Sequence, residues 1–292
     1  MSDVPEQQAP TPDASLTPTP DAPMTRRERR ARSRNTPAAL PRRALLARPL
    51  TMTATIAFAA LVGLTGYASP SFVALAVALA GLVMAWGWPQ LLALPSPRGT
   101  TTVLSVGTVL MTGTVLLTDE APYLQWMPAA MAVSVIAAFL HQLMRRDGRP
   151  RLAESVSASI TGLAVISAGI ALAPVPHVLG GQHALAAAMA GLGVGVLADP
   201  LVKVRRVRQW ALFVSMLIGG VAGMVVSLVA GHPRLWPAAL LGLLAAAVSH
   251  AARRVMAVLP AMAMPRAQLA AGASSSLLVG VVAYVVVRYF VA

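Results

Sequence analysis

The chain has no cysteine, one lysine (Lys203) and ten acidic residues in 292 positions. The first absence excludes disulfides, thiolate nucleophiles and cysteine metal sites. Charged residues make up 11% of the chain and aromatics 5%, against 57% hydrophobic residues and a mean hydropathy of +0.69. A water-soluble globule cannot cover itself with so little charge, so the solvent for most of this chain is lipid. Walker A, His-Glu-x-x-His and Gly-x-Ser-x-Gly motifs are missing too, and no cofactor and no metal are expected. Of the 23 basic residues only Lys203 is lysine, a bias that points to high-GC bacterial codon usage. The first 24 residues hold four acids, no basic residue and no apolar core, which is not the pattern of a secretory signal.

The net charge of +13 would suggest nucleic acid in a soluble protein. Here the charges sit between apolar runs, so no nucleic-acid partner is expected; the partners read from them are the bilayer and its anionic headgroups. Residues 1–35 read as a disordered tail ending in a polybasic run over 25–34, because Pro, Thr, Ala and Asp bury too little surface to offset ordering. Residues 36–49 read as a juxtamembrane segment that Pro41 interrupts. Residues 50–292 form the membrane domain. The fold class is therefore all-α, a polytopic transmembrane helix bundle of about nine spans: 50–68, 71–88, 101–118, 122–144, 154–174, 183–199, 209–230, 235–251 and 270–290. The second, sixth and eighth are the shortest, and the apolar stretch 255–264, broken by Pro260 and Pro265, reads as a surface segment. Pro128 and Pro237 are expected to kink their helices.

Placing the N-terminus in the cytosol and alternating sides puts 21 of 23 basic residues inside, leaving Arg234 and Arg288 outside. Reversing the orientation reverses that bias, so the sequence predicts N-in and C-out in a bacterial inner membrane. Lipid gives helices no hydrophobic reason to associate, so packing must use small residues. Gly191 with Gly195, and Gly219 with Gly223, are spaced for that. Hydroxyls crowd the third span (Ser105, Thr108, Thr112, Thr114) and the fifth (Ser155, Ser157, Ser159), and are read first as helix contacts bonded back to carbonyls.

No Asp, Glu, Lys or Arg falls near the middle of a span, which argues against an ion-coupled carrier with a midplane carboxylate. The catalytic candidates all lie at cytosolic depth: His141, Asp147, Glu154 and Asp199, with His250 close by in the topology. Arg145, Arg146, Arg149, Arg151, Lys203, Arg205 and Arg206 are the anion- or headgroup-binding candidates around them. Each acid also has an ordinary reading: Asp147-Gly148-Arg149-Pro150 has turn chemistry, Glu154 suits the first turn of a helix beside Arg151, and Asp199 neutralises Lys203. Asp147-Gly148-x-x-Arg151 echoes the opening of the CDP-alcohol phosphotransferase signature, but the next span offers no aspartate to complete a metal pair, and the family is not carried over. His177 and His183, in the outer loop 175–183, are two ligands where a metal needs at least three. The leading expectation is a non-enzymatic membrane protein, either permease-like for an apolar or amphiphilic substrate or a component of a membrane complex. The alternatives are an enzyme acting on a phosphorylated lipid at the cytosolic leaflet, and a sensor or assembly factor working through the basic tail.

Overall fold

The computed structural model describes residues 48–145 and 151–291. The tail, the polybasic run, the segment 36–47, and Arg146, Asp147 and Arg149 lie outside them. The described chain is helical throughout: α1 (Pro49–Thr65), α2 (Pro70–Leu91), α3 (Pro97–Leu116), α4 (Met127–Met144), α5 (Leu152–Ile170), α6 (Gly181–Gly195), α7 (Ala211–Ala230), α8 (Leu235–Ala257), α9 (Pro265–Leu277) and α10 (Val279–Phe290). Short 3-10 turns at Val175–His177, Val196–Lys203, Arg208–Trp210 and Pro260–Ala263 extend or connect them.

Eight of the helical segments, counting α9 and α10 as one, are long and apolar enough to cross a membrane; the remaining one, α1, has 17 residues. This is the build of a multi-pass integral membrane protein. At 1.5 Å per residue α1 measures about 26 Å, a little short of a hydrocarbon layer of about 30 Å. The lengths depart from the apolar runs in the sequence. α2, expected short, has 22 residues, and α8 continues six residues past the apolar run to Ala257. The extension carries Arg253, which is buried and paired with a residue elsewhere in the chain. The stretch 255–264 is the end of α8 followed by a 3-10 turn whose Met262 is buried, and the last span begins at Pro265. Pro128 and Pro237 sit in the first turns of α4 and α8. A missing N–H has no helical partner to lose at that position, so they start these helices where a kink was expected.

Three helices, α6, α7 and α8, pack on one another through glycine. A Cβ on Gly191 would stand 2.6 Å from the Gly242 carbonyl oxygen, and one on Gly219 2.7 Å from the same atom. Gly223 on α7 also abuts the α8 backbone. Gly191, Gly219 and Gly223 of the expected pairs thus meet Gly242 on α8, which the sequence reading did not single out, while Gly195 faces Ala246 and Ser215. The second centre is α9, whose residues from Ala270 to Leu277 are all buried, packed against α1 and α2. Its serines are satisfied within the helix: Ser274 donates to the Ala270 carbonyl (2.6 Å) and Ser275 to the Gly272 carbonyl (2.8 Å). Thr108 and Ser159 do the same on α3 and α5. Trp88 ties α2 to α5 by donating its indole N–H to the Ala158 carbonyl at 2.9 Å.

Candidate functional site

Because the helices alternate in direction, the loops fall at two ends. The end that holds Arg145, Arg151, Lys203 and Arg253 is called the basic end; the other, with His177, His183 and His232, the histidine end.

At the basic end the sequence candidates do not gather in one place. His141, on the last turn of α4, reaches across to α3, where Ser96 Oγ lies 3.0 Å from its Nε2. Gly99 makes this possible, since a Cβ there would overlap the imidazole ring. Arg145 is buried and donates to Gln142 Oε1 at 2.9 Å. Arg151, which precedes α5 in the left-handed region (φ 53°), donates to Glu154 (2.6 Å) and to the Ala93 carbonyl (2.8 Å). Ala93 is itself left-handed (φ 50°), so this contact clamps two uncommon backbone turns together. The Arg151 and Glu154 side chains are 47% and 58% exposed, so the pair is a solvated one.

Asp199 belongs to a different group. It sits in the 3-10 turn after α6 and takes three bonds from α8: His250 Nδ1 to Oδ1 at 2.9 Å, Arg253 Nε to Oδ2 at 2.7 Å and Arg253 Nη2 to Oδ1 at 3.1 Å. Arg253 also donates to Ser249 Oγ one turn earlier. Arg253 and His250 keep 4% of their side-chain surface and Asp199 15%. Asp199 therefore neutralises Arg253, where the sequence reading assigned it to Lys203. Lys203, Arg205 and Arg206 are exposed. His250 and Arg253 lie three residues apart on one face of α8, which is legible in the sequence; that the face meets Asp199 is not.

The histidine end carries an open cleft of about 1080 Å³, lined by His177, His183, His232, Arg234, Gln182 and Trp236 among others. Two glycines shape it. Gly180 (φ 74°) precedes α6, and Gly231 (φ 73°) ends α7; both conformations disfavour a side chain. Buried Ser227 donates to the Pro233 carbonyl and pins the 231–234 turn that presents His232 and Arg234. Tyr67 Oη lies 3.3 Å from His183 Nδ1, and the rings of His183 and His232 are 6.5 Å apart. On the far wall His177 stacks on Tyr123 with centroids 3.8 Å apart. No Asp or Glu is among the described residues lining the cleft. No group of three or more His, Asp or Glu suited to a metal is found among the described residues.

Below the cleft, on the flank of the bundle between α1, α6 and α7, runs an apolar groove of about 690 Å³. Ala60, Gly63, Ala190 and Gly193 keep it open, Ile56 and Val229 wall it, and Tyr67 stands at its upper end. The sequence reading took up this end only through His177 and His183, too few for a metal site, and named no binding residue here. The available signal was that Arg234 breaks the positive-inside pattern.

Comparison with protein-family models, with curated protein sequences and with solved structures finds no match to this chain.

Proposed function

We propose that this chain is a non-enzymatic, permease-like protein of a bacterial inner membrane, oriented N-in and C-out, that handles an amphiphilic substrate. The observation that carries the reading is where open space and closed charge lie. Asp199 and Glu154, the two carboxylate candidates among the described residues of the basic end, are committed to separate ion pairs on different helices. An acid–base site needs such groups converging on one pocket. Among the described residues, an open polar cleft that adjoins an apolar groove on the flank lies at the histidine end. In the N-in orientation that end faces outward, and the exposed Lys203, Arg205 and Arg206 lie against anionic headgroups of the inner leaflet.

The test is reconstitution of the full chain into liposomes carrying a phospholipid with a fluorescent acyl chain. Movement of that lipid between leaflets is expected to be faster than in protein-free liposomes, and Glu154→Gln is expected to leave the rate unchanged. An unchanged rate between protein-containing and empty liposomes refutes the permease reading.

One observation favours an enzyme as the second reading. Asp199 on Nδ1 of His250 is the arrangement that orients an imidazole as a base. Turnover of a phosphorylated lipid by the purified protein, lost in His250→Gln, would install that reading in place of the first.

A further inference from the structure

We propose that the cleft at the histidine end and the groove below it form one binding site for a phosphate-bearing lipid, with the head in the cleft and a hydrocarbon chain in the groove. The proposal deepens the amphiphile-handling reading and rests on it for the choice of leaflet.

The groove has the dimensions of a chain in one leaflet. From Ile56 to Tyr67 the α1 wall runs about 16 Å at 1.5 Å per residue, about half of a hydrocarbon layer of about 30 Å. Its lining holds no charged residue. Small side chains on α1 and α6 leave the volume unfilled, although the same helices pack tightly elsewhere, as Gly191 does on Gly242.

Each of the three helices that wall the groove also leads into the cleft. On α1 the groove ends at Tyr67, whose hydroxyl meets the cleft residue His183. On α6 Ala186 lines the groove and His183, nearly one turn earlier, lines the cleft. After α7 Ala230 lines the groove and His232 the cleft. A molecule in the groove thus has its upper end among imidazoles.

The charge of the cleft selects an anion. Arg234 occupies the N-cap of α8, where the macrodipole disfavours a cation, and the first turn of that helix holds no acid. Its charge therefore does not serve the helix, and no carboxylate among the described lining residues neutralises it. Gln182 and His183, in the first turn of α6 with the His183 ring held between Tyr67 and Gln182, and His232 and Arg234, in the turn before α8, bring polar groups from two separate places, a spread suited to the several oxygens of a phosphate more than to the two of a carboxylate. Trp236 at the rim, packed edge-on to Phe290 at 5.2 Å, places an interfacial aromatic at headgroup depth. A helix from a second copy of the chain would fill the groove but leave the cleft without a counter-charge.

Binding of dioctanoyl phosphatidylglycerol to the full-length protein in a neutral detergent tests this, with dioctanoyl phosphatidylcholine and inorganic phosphate as comparisons. Phosphatidylglycerol is expected to bind at least tenfold more tightly than phosphatidylcholine, and millimolar phosphate not to displace it. Arg234→Ala and, independently, Ala60→Leu or Ala190→Leu are each expected to weaken binding at least tenfold, with lipid-free thermal midpoints unchanged because all three residues line open space. Equal affinity for phosphatidylcholine, displacement by phosphate alone, or indifference to the variants overturns the proposal. So does a dimer that Ala60→Leu converts to monomer with lipid binding intact, which would assign the groove to a second copy. Binding with these dependences but without faster lipid translocation leaves the site standing and removes the permease reading. Translocation that ignores Arg234→Ala and Ala60→Leu does the reverse.

Discussion

Replacing Asp199 by alanine leaves the guanidinium of Arg253, with 4% of its side-chain surface accessible, without its counter-ion. Three bonds of 2.7 to 3.1 Å disappear together, and His250 loses the acceptor at its Nδ1. Truncating one partner of a buried pair costs about 3–5 kcal/mol, most of it the penalty of the stranded charge. At about 2–4 °C per kcal/mol for a chain of this size, the thermal midpoint in detergent should fall by about 6–20 °C. The same logic predicts rescue: Asp199→Leu combined with Arg253→Met removes both charges, and a pair replaced by apolar groups of similar volume is close to neutral. The full cycle of two single variants and the double, followed by thermal unfolding of the purified protein, gives the coupling directly, which should reach at least about 2 kcal/mol. Two single variants within about 0.5 kcal/mol of the parent, or a double variant whose loss is the sum of the singles, would refute the description of this cluster as a buried, closed ion pair. Restored stability in the double variant together with normal lipid movement would also separate the cluster from function.

Glu154→Gln should change stability by no more than about 1 kcal/mol in the same assay, since its pair with Arg151 is about half exposed. Gly191→Ala should cost about 2–3 kcal/mol, because the new Cβ meets the Gly242 backbone, whereas Gly113→Ala on α3, with nothing within 4 Å of its Cβ, should stabilise by about 0.5–1 kcal/mol. The chain's lack of cysteine makes topology easy to check. Gln182→Cys should react with a membrane-impermeant maleimide on intact cells, and Arg206→Cys only after permeabilisation; the opposite pattern would invert the orientation.

Membrane character was legible in the sequence because it is a property of composition and run length: few charges and repeated apolar stretches admit no other solvent. The glycine pairs on α6 and α7 were legible for a similar reason, helical spacing placing Gly191 with Gly195 and Gly219 with Gly223 on shared faces. Hydroxyls bonded to carbonyls one turn back follow from the same local geometry, and Thr108, Ser159 and Ser274 behave so, whereas the buried Thr112 and Ser155 hydroxyls have no hydrogen-bond partner among the described residues. Exact helix ends were less legible, since the part of α8 past its apolar run holds Arg253, buried against a residue more than fifty positions earlier.

What only the tertiary structure decided is which polar residues share a place. Asp199 and Arg253 look like unrelated ends of two spans until α6 and α8 are packed side by side through Gly191 and Gly242. His183 stands in the first turn of α6, and His232 and Arg234 stand in the turn before α8, with the rest of α6 and all of α7 between them, and no periodicity in either stretch refers to the other. Side-by-side packing of α1, α6 and α7 depends on which small-residue faces meet, a pairwise choice among helices that each look uniformly apolar in sequence. Composition and local period determine that this chain enters the membrane as helices; the non-local pairing of those helices determines that Asp199 closes on Arg253 and His250 and that His183, His232 and Arg234 share one open cleft.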